Sequence, residues 1–351
     1  MTTQKRIEDY GINIGRLPKG IRNKITDVPG VKVGHYTLDE GDVKTGITAI
    51  MPTPHNIFVH KLIAASHVIN GYGKTIGLVQ VDELGMLESP ILLTNTLCVS
   101  RVADALVSFT LERCQLEDVP CLSFNPVVGE CNDSYLNAIN NRAITHEHVF
   151  EAIAQADSDF LEGDVGAGKG MSCHGLKGGI GSASRMLNIE AEVFTLGALV
   201  LANYGTLADL TIDGEKVGAT IKGDVASRSE VDKGSIIIVL ATDLPLSDRQ
   251  LKRVCKRAVV GMARVGSYIG HGSGDVVIGF TTYSNAASTF ENLESKSLRQ
   301  MNQLEEALLE TVFRAAAEVT EESILNALIT ANETSGVQGH TRYALKDFWR
   351  I

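Results

Sequence analysis

Asp232-Lys233-Gly234-Ser235-Ile236-Ile237-Ile238-Val239-Leu240 is the stretch on which the reading of this chain turns. The β-branched run Ile236–Val239 reads as a strand, and its lack of polar alternation predicts one buried on both faces. Ser235 opens that strand directly behind a glycine. A hydroxyl at this position is placed to attack the carbonyl of the preceding residue. Gly234 suits the attack because it has no Cβ to clash in a strained backbone. After an N→O acyl shift and hydrolysis, Ser235 becomes an N-terminus. Its α-amine, with a reference pKa near ~8, then serves as base for its own hydroxyl. A turn before a strand has the same local sequence, so the rest of the chain must decide between the two readings.

The bulk composition narrows the classes. With 351 residues, 44% of them hydrophobic, the chain can bury one large or two ordinary cores. A net charge of −10 argues against nucleic acid and against an anionic membrane surface as partners. The 34 glycines cluster, and only 8 prolines accompany them, which points to tight loops rather than disorder. Cys98, Cys114, Cys121, Cys131, Cys173 and Cys255 show no CxxC spacing and read as free thiols of a reducing compartment. Met1–Tyr10 is charged and has no apolar core segment, and no stretch is long enough to span a bilayer. The expected location is cytoplasmic.

Along the chain, Asp27-Val28-Pro29-Gly30 is a turn signal before a strand at Val31-Lys32-Val33, and strand-like segments recur at Gly46–Met51 and Gly77–Val81. Helical spacing predicts helices over Leu97–Cys114, Thr145–Ala156 and Leu246–Val265. Glu190–Ala202 and Asp275–Thr282 read as strands. Two further helices are expected over Leu298–Ala317 and Glu321–Ala331, the second capped by Thr320 with Glu321 and Glu322 in its first turn. No repeat or linker is visible. The pattern predicts sheets covered by helices around one continuous core.

Several segments carry candidate chemistry. Gly163-Asp164-Val165-Gly166-Ala167-Gly168-Lys169-Gly170 approaches a phosphate-binding loop, but Gly170 stands where a Mg²⁺-binding hydroxyl belongs; the alternative is a glycine loop packed against other backbone. His146-Glu147-His148 does not converge on a metal if helical, because residues two apart face different sides. No ligand set for a metal and no cofactor motif is read. Ser273 and Asp275 flank a glycine, so on an extended segment they share a side and form a candidate proton relay. Glu130 ends an apolar run and is a candidate anchor for an ammonium group. Asn203 ends another and is a candidate oxyanion donor. Each of these also has a bland reading as a turn or cap residue.

Taken in order, these segments resemble the family of L-aminopeptidase/D-esterase-amidases and β-aminopeptidases, which are similar to N-terminal-nucleophile hydrolases. The resemblance rests on Ile25-Thr26-Asp27-Val28-Pro29-Gly30-Val31-Lys32-Val33-Gly34-His35, Pro126–Glu130, Gly166–Cys173, Lys177–Gly181, Ala202–Gly205, Gly234–Asp243 and Gly272–Asp275, which span nearly the whole chain. It implies an α+β fold, a four-layer αββα sandwich. It further implies one domain, residues 1–351, cut between Gly234 and Ser235 into 1–234 and 235–351. Ser235 would be the nucleophile, Ser273 held by Asp275 would orient its amine, and Asn203 would stabilise the oxyanion. Glu130 would bind the substrate's free amino group, and Tyr135 would line the pocket. Some members carry Glu where this chain has Asp275, which implies a weaker relay or one through water. The implied partners are a short peptide, amide or ester with a free amino terminus, and three further copies in a tetramer. The alternatives kept open are an ornithine/glutamate acetyltransferase of related fold, a nucleotide-binding protein using Gly163–Gly170, and a silent homologue that never processes.

Overall fold

The computed structural model describes residues 4–221, 234–283 and 301–349. Strands β1 (Lys32–Glu40), β2 (Val43–Met51), β5 (Ile91–Asn95) and β6 (Val127–Cys131) form a four-stranded sheet in the order β1-β2-β5-β6. Strands β3 (Leu62–Gly71), β4 (Met86–Leu87), β9 (Gly179–Ile189), β10 (Glu192–Asn203), β11 (Ser235–Thr242) and β12 (Gly274–Thr281) form a six-stranded sheet ordered β4-β3-β12-β11-β10-β9. Two small hairpins, β7 (Ser172–Cys173) with β8 (Leu176–Lys177) and β13 (Thr334–Ser335) with β14 (Thr341–Arg342), complete the strands. The helices are α1 (Leu78–Leu84), α2 (Val99–Leu116), α3 (His146–Ala154), α4 (Asp248–Cys255), α5 (Ala258–Arg264) and α6 (Leu309–Thr330).

The layering follows from strand alternation. Side chains of β11 point to opposite faces in turn. Ile236, Ile238 and Leu240 pack with β10 and with α4, α5 and α6. Ile237, Val239 and Ala241 pack instead with Ile91 and Leu93 of β5 and Val127 of β6. Leu92 of β5 and Val128 of β6 then face the opposite way, onto Val102 and Leu106 of α2 and Val149 of α3. The result is helix, sheet, sheet, helix. Both faces of β11 are covered, which is why its sequence has no polar alternation. The expectation of one continuous core is corrected to three, one in each gap between layers.

Four expected elements differ. Gly77–Val81, read as strand-like, starts α1 instead; Gly77 (φ +90°) and Gly85 (φ +65°) bound that short helix with left-handed backbone. The single helix expected over Leu246–Val265 is broken after Cys255. Its halves seat on different surfaces: α4 lies against Gly279 of β12, while Gly261 of α5 lies against the backbone of α6. The two C-terminal helices are one, α6, preceded by a short 3₁₀ turn; residues 298–300 of the expected first helix lie outside the described residues. Thr320 is not a cap, since its hydroxyl donates to the Ala316 carbonyl one turn back. The acids around it are buried mid-helix and paired: Glu318 and Glu322 with Arg185 at 3.1 and 2.6 Å, and Glu321 with Arg264 at 3.0 Å.

Candidate active site

Sheet topology gathers one end of three strands. β11 and β12 are parallel, so their first residues lie at the same edge; β10 runs antiparallel to β11, so its last residue joins them. Asn203 is thus directly opposite Ser235, and Ile236 opposite Asp275. In the facing sheet, β6 ends over the same place. The Cys131 thiol, one residue past Glu130, contacts the carbonyls of Leu201 and Ser235 at 3.5 and 3.4 Å. Burial first, then the charges of Glu130 and Asp275, hold that thiol well above its usual pKa, so it stays neutral.

Ser235 is largely buried at this edge. The Gly274 backbone N–H donates to its Oγ at 3.0 Å. The Ser273 hydroxyl lies 2.6 Å from Asp275 Oδ2 and 2.8 Å from the Gly270 carbonyl, and Asp275 Oδ1 accepts the Ile236 N–H at 3.2 Å. Ser273 and Asp275 therefore meet directly. Of the two outcomes the shorter acid implied, a weaker relay or one through water, the water is not needed for contact, because one carboxylate bridges the Ser273 hydroxyl and the strand that carries Ser235. Gly234 passes so close to β10 that a Cβ there would lie 1.9 Å from the Asn203 carbonyl oxygen. Close approach, rather than a left-handed backbone, is what demands glycine here.

The Asn203 amide has a defined orientation. Its Oδ1 accepts the Ser172 N–H at 2.8 Å, which only an oxygen can do, so Nδ2 takes the other side and donates to the Asn132 carbonyl at 3.0 Å. The turn that presents Ser172 is tied down by Lys177. Its buried ammonium donates to the carbonyls of Gly168, Met171 and Gly178 at 2.7–2.9 Å.

A cavity of about 490 Å³ opens on this edge. Ser235, Gly234, Asn203, Glu130 and Tyr135 all line it, with Gly272 from the turn that carries Ser273. Ser273 and Asp275 lie buried beneath. Glu130 is 2% exposed; its Oε1 accepts the Lys74 N–H at 2.7 Å, and its Oε2 takes the Thr96 hydroxyl. Ser235, Gly234, Asn203, Glu130, Tyr135, Ser273 and Asp275 thus lie together in one place. Sequence reasoning assigned no role to Lys74, Thr96, Ser172 and Arg342, which line the same cavity from four separate parts of the chain, although Ser172 lies within the stretch Gly166–Cys173. Asn132 was within reach, since it lies two residues past Glu130.

The remaining candidates fall elsewhere. In Gly163–Gly170 the amides that would cradle a phosphate are spent internally: Gly163 on Ile180, Gly166 on the Thr37 hydroxyl, Ala167 on the Thr48 hydroxyl. Lys169 pairs with Asp39 and Asp164 at 2.7 and 3.2 Å. This is the packed glycine loop, not a nucleotide site. His146 pairs with Asp104, while His148 stacks on Tyr36. Among the described residues no cluster of three His, Cys, Asp or Glu side chains is arranged for a metal, and no helix is long and apolar enough to cross a membrane. The six cysteines are free thiols.

The profile of peptidase family S58 matches residues 23–342. The chain belongs to peptidase family S58. It is accordingly a hydrolase of the serine-peptidase type. Within that S58 setting it is 36% identical to the β-peptidyl aminopeptidase BapA of Sphingosinicella microcystinivorans, over 96% of this chain and 88% of that one. Its fold matches that of a β-aminopeptidase from Burkholderia sp. with a TM-score of 0.88 at 37% identity, covering 99% of this chain and 100% of the other. It also matches the L-aminopeptidase D-Ala-esterase/amidase of Ochrobactrum anthropi, described as a prototype for the serine aminopeptidases and a new variant among the Ntn hydrolase fold. There the TM-score is 0.88 at 33% identity, over 97% and 95% of the two chains.

Proposed function

We propose that this S58 chain cuts its own Gly234–Ser235 bond and then acts as an aminopeptidase or amidase through Ser235. The observation that carries the reading is the placement of Ser235 Oγ: at the head of β11, held by the Gly274 N–H, with Asn203 opposite and the Ser273–Asp275 pair beside it.

In processing, Ser235 Oγ attacks the Gly234 carbonyl carbon, the peptide C–N bond breaks, and the hydroxyl proton passes to the leaving nitrogen. Water then hydrolyses the ester, leaving a carboxylate on Gly234 and an α-amine on Ser235. The chains 1–234 and 235–351 stay associated, because β11 lies between β10 of the first and β12 of the second.

In turnover, the freed amine takes the Oγ proton as the substrate carbonyl is attacked, and returns it to the leaving group; water then hydrolyses the acyl ester on Ser235 Oγ, releasing the acid and restoring the hydroxyl. Ser273, anchored by Asp275, orients that amine. Asn203 Nδ2 supplies an oxyanion hydrogen bond of the kind worth about 10²–10³ in rate. Glu130 receives the substrate ammonium, which restricts cleavage to free amino termini. Partners on this reading are short peptides, amides or esters, and three further copies of the processed protomer, in the cytoplasm.

Assay of amino-acid p-nitroanilides and their N-acetyl forms tests it. Release from the free amines alone is expected. Rapid acetyl transfer from N-acetylornithine to glutamate without net hydrolysis contradicts it.

A further inference from the structure

Ser235 lies on β11 with β12 on one side and β10 on the other, and these two flanks lead to opposite charges. On the β12 flank, Gly274 holds Ser235 Oγ at 3.0 Å and packs against Gly73 so closely that a Cβ on Gly274 would lie 2.5 Å from the Gly73 Cα. The next N–H, that of Lys74, binds Glu130 at 2.7 Å. On the β10 flank, Asn203 is opposite Ser235, its Oδ1 takes the Ser172 N–H at 2.8 Å, and the Ser172 hydroxyl takes Arg342 Nε at 3.0 Å. Glu130 and Arg342 both line the cavity. The nucleophile therefore sits between an anion and a cation.

We propose that Arg342 is a specificity-determining residue that receives the free C-terminal carboxylate of the leaving part of a short peptide. The inference rests on the aminopeptidase reading above, in which the substrate ammonium sits at Glu130. The acyl part then occupies the β12 flank, and the leaving group extends across Ser235 towards Arg342. The preferred substrate is dipeptide-sized and carries both termini free, a size that suits a cavity of about 490 Å³. Arg342 is built to stay in place. Its guanidinium lies 3.8 Å over the Tyr135 ring, that ring stacks on His340 at 4.5 Å, and Nη1 donates to the Gly175 carbonyl at 3.1 Å. A guanidinium keeps its charge at every working pH, and it draws a carboxylate by that charge whatever else it touches.

The test compares kcat/KM for one dipeptide as the free acid and as its C-terminal amide, ranked within each enzyme. Wild type is expected to favour the acid by about tenfold or more, the scale of one charge-assisted contact, and rising salt should lower the acid rate more than the amide rate. In Arg342→Gln the acid-to-amide ratio should fall to about 1, with Arg342→Lys between the two. Equal rates for acid and amide in wild type would overturn the proposal, as would an undiminished ratio in the Gln variant. If that variant does not fold, the wild-type ratio and its salt dependence still decide. Hydrolysis of neither peptide by wild type contradicts the aminopeptidase reading itself, whereas hydrolysis of both at equal rates contradicts only the role of Arg342.

Discussion

The Cβ that Gly234 lacks would lie 1.9 Å from the carbonyl oxygen of Asn203 and 2.5 Å from the Tyr204 Cα. Any side chain at 234 must push the junction away from β10, and with it the scissile carbonyl away from the Asn203 amide. Gly234→Ala is therefore expected to persist as a full-length chain on a denaturing gel. The overpacking should also cost about 1–3 kcal/mol in denaturant unfolding. Normal processing of this variant would show that the close approach has no part in cleavage.

Ser273 touches Asp275, and Asp275 in turn holds the β11 backbone, so removing the Ser273 hydroxyl leaves the strand pairing intact. Ser273→Ala should slow processing and lower kcat by about 10²-fold or more, the usual worth of a proton-handling group, with KM little changed. A variant that processes and turns over at the wild-type rate removes Ser273 from the mechanism.

Glu130→Gln retains the shape and both hydrogen-bond partners but loses the charge. If the carboxylate binds the substrate ammonium, kcat/KM should fall about 10- to 100-fold, chiefly through KM, as for loss of a charge-assisted contact. Processing should continue, since the internal bond carries no ammonium. An unchanged KM would place the ammonium elsewhere.

Asp133 gives a pH dependence of stability. Its carboxyl is fully buried, with Asn137 Nδ2 on Oδ1 at 3.0 Å, and burial pushes its pKa up to about 7. Between the ordinary carboxylate range and about 7, the folded protein holds a proton that the unfolded chain has released. This group's contribution to stability therefore falls as pH rises through that window. Asp133→Asn removes the slope, and its stability relative to wild type should improve between pH 5 and 8 by up to about 3 kcal/mol. A difference independent of pH would show that Asp133 titrates in its ordinary range.

How much of this was legible in the sequence depends on how local each signal is. The run Ile236–Val239 announces a doubly covered strand, and the cues at Gly234-Ser235, Asn203 and Ser273-Gly274-Asp275 are each contained in a few residues. Their meeting depends on β10, β11 and β12 sharing an edge, which no single segment states. The helix misreadings have the same origin. Gly77–Val81 looks strand-like, yet it opens a helix held between two left-handed glycines. Glu321 and Glu322 look like a first turn because the cations that pair with buried acids in α6, Arg185 and Arg264, lie far away in the chain. Arg342 and Ser172 reach the site from residues 170 positions apart, and no pattern in either stretch points to the other.

The measurement that bears most directly on the central claim is the intact mass of wild type and of Ser235→Ala under denaturing conditions, paired with aminopeptidase assay of both. The account predicts two wild-type fragments that divide between Gly234 and Ser235, and a single inactive full-length chain for the variant. An active wild-type protein of full-length mass, or a variant that is cut and active, would contradict it.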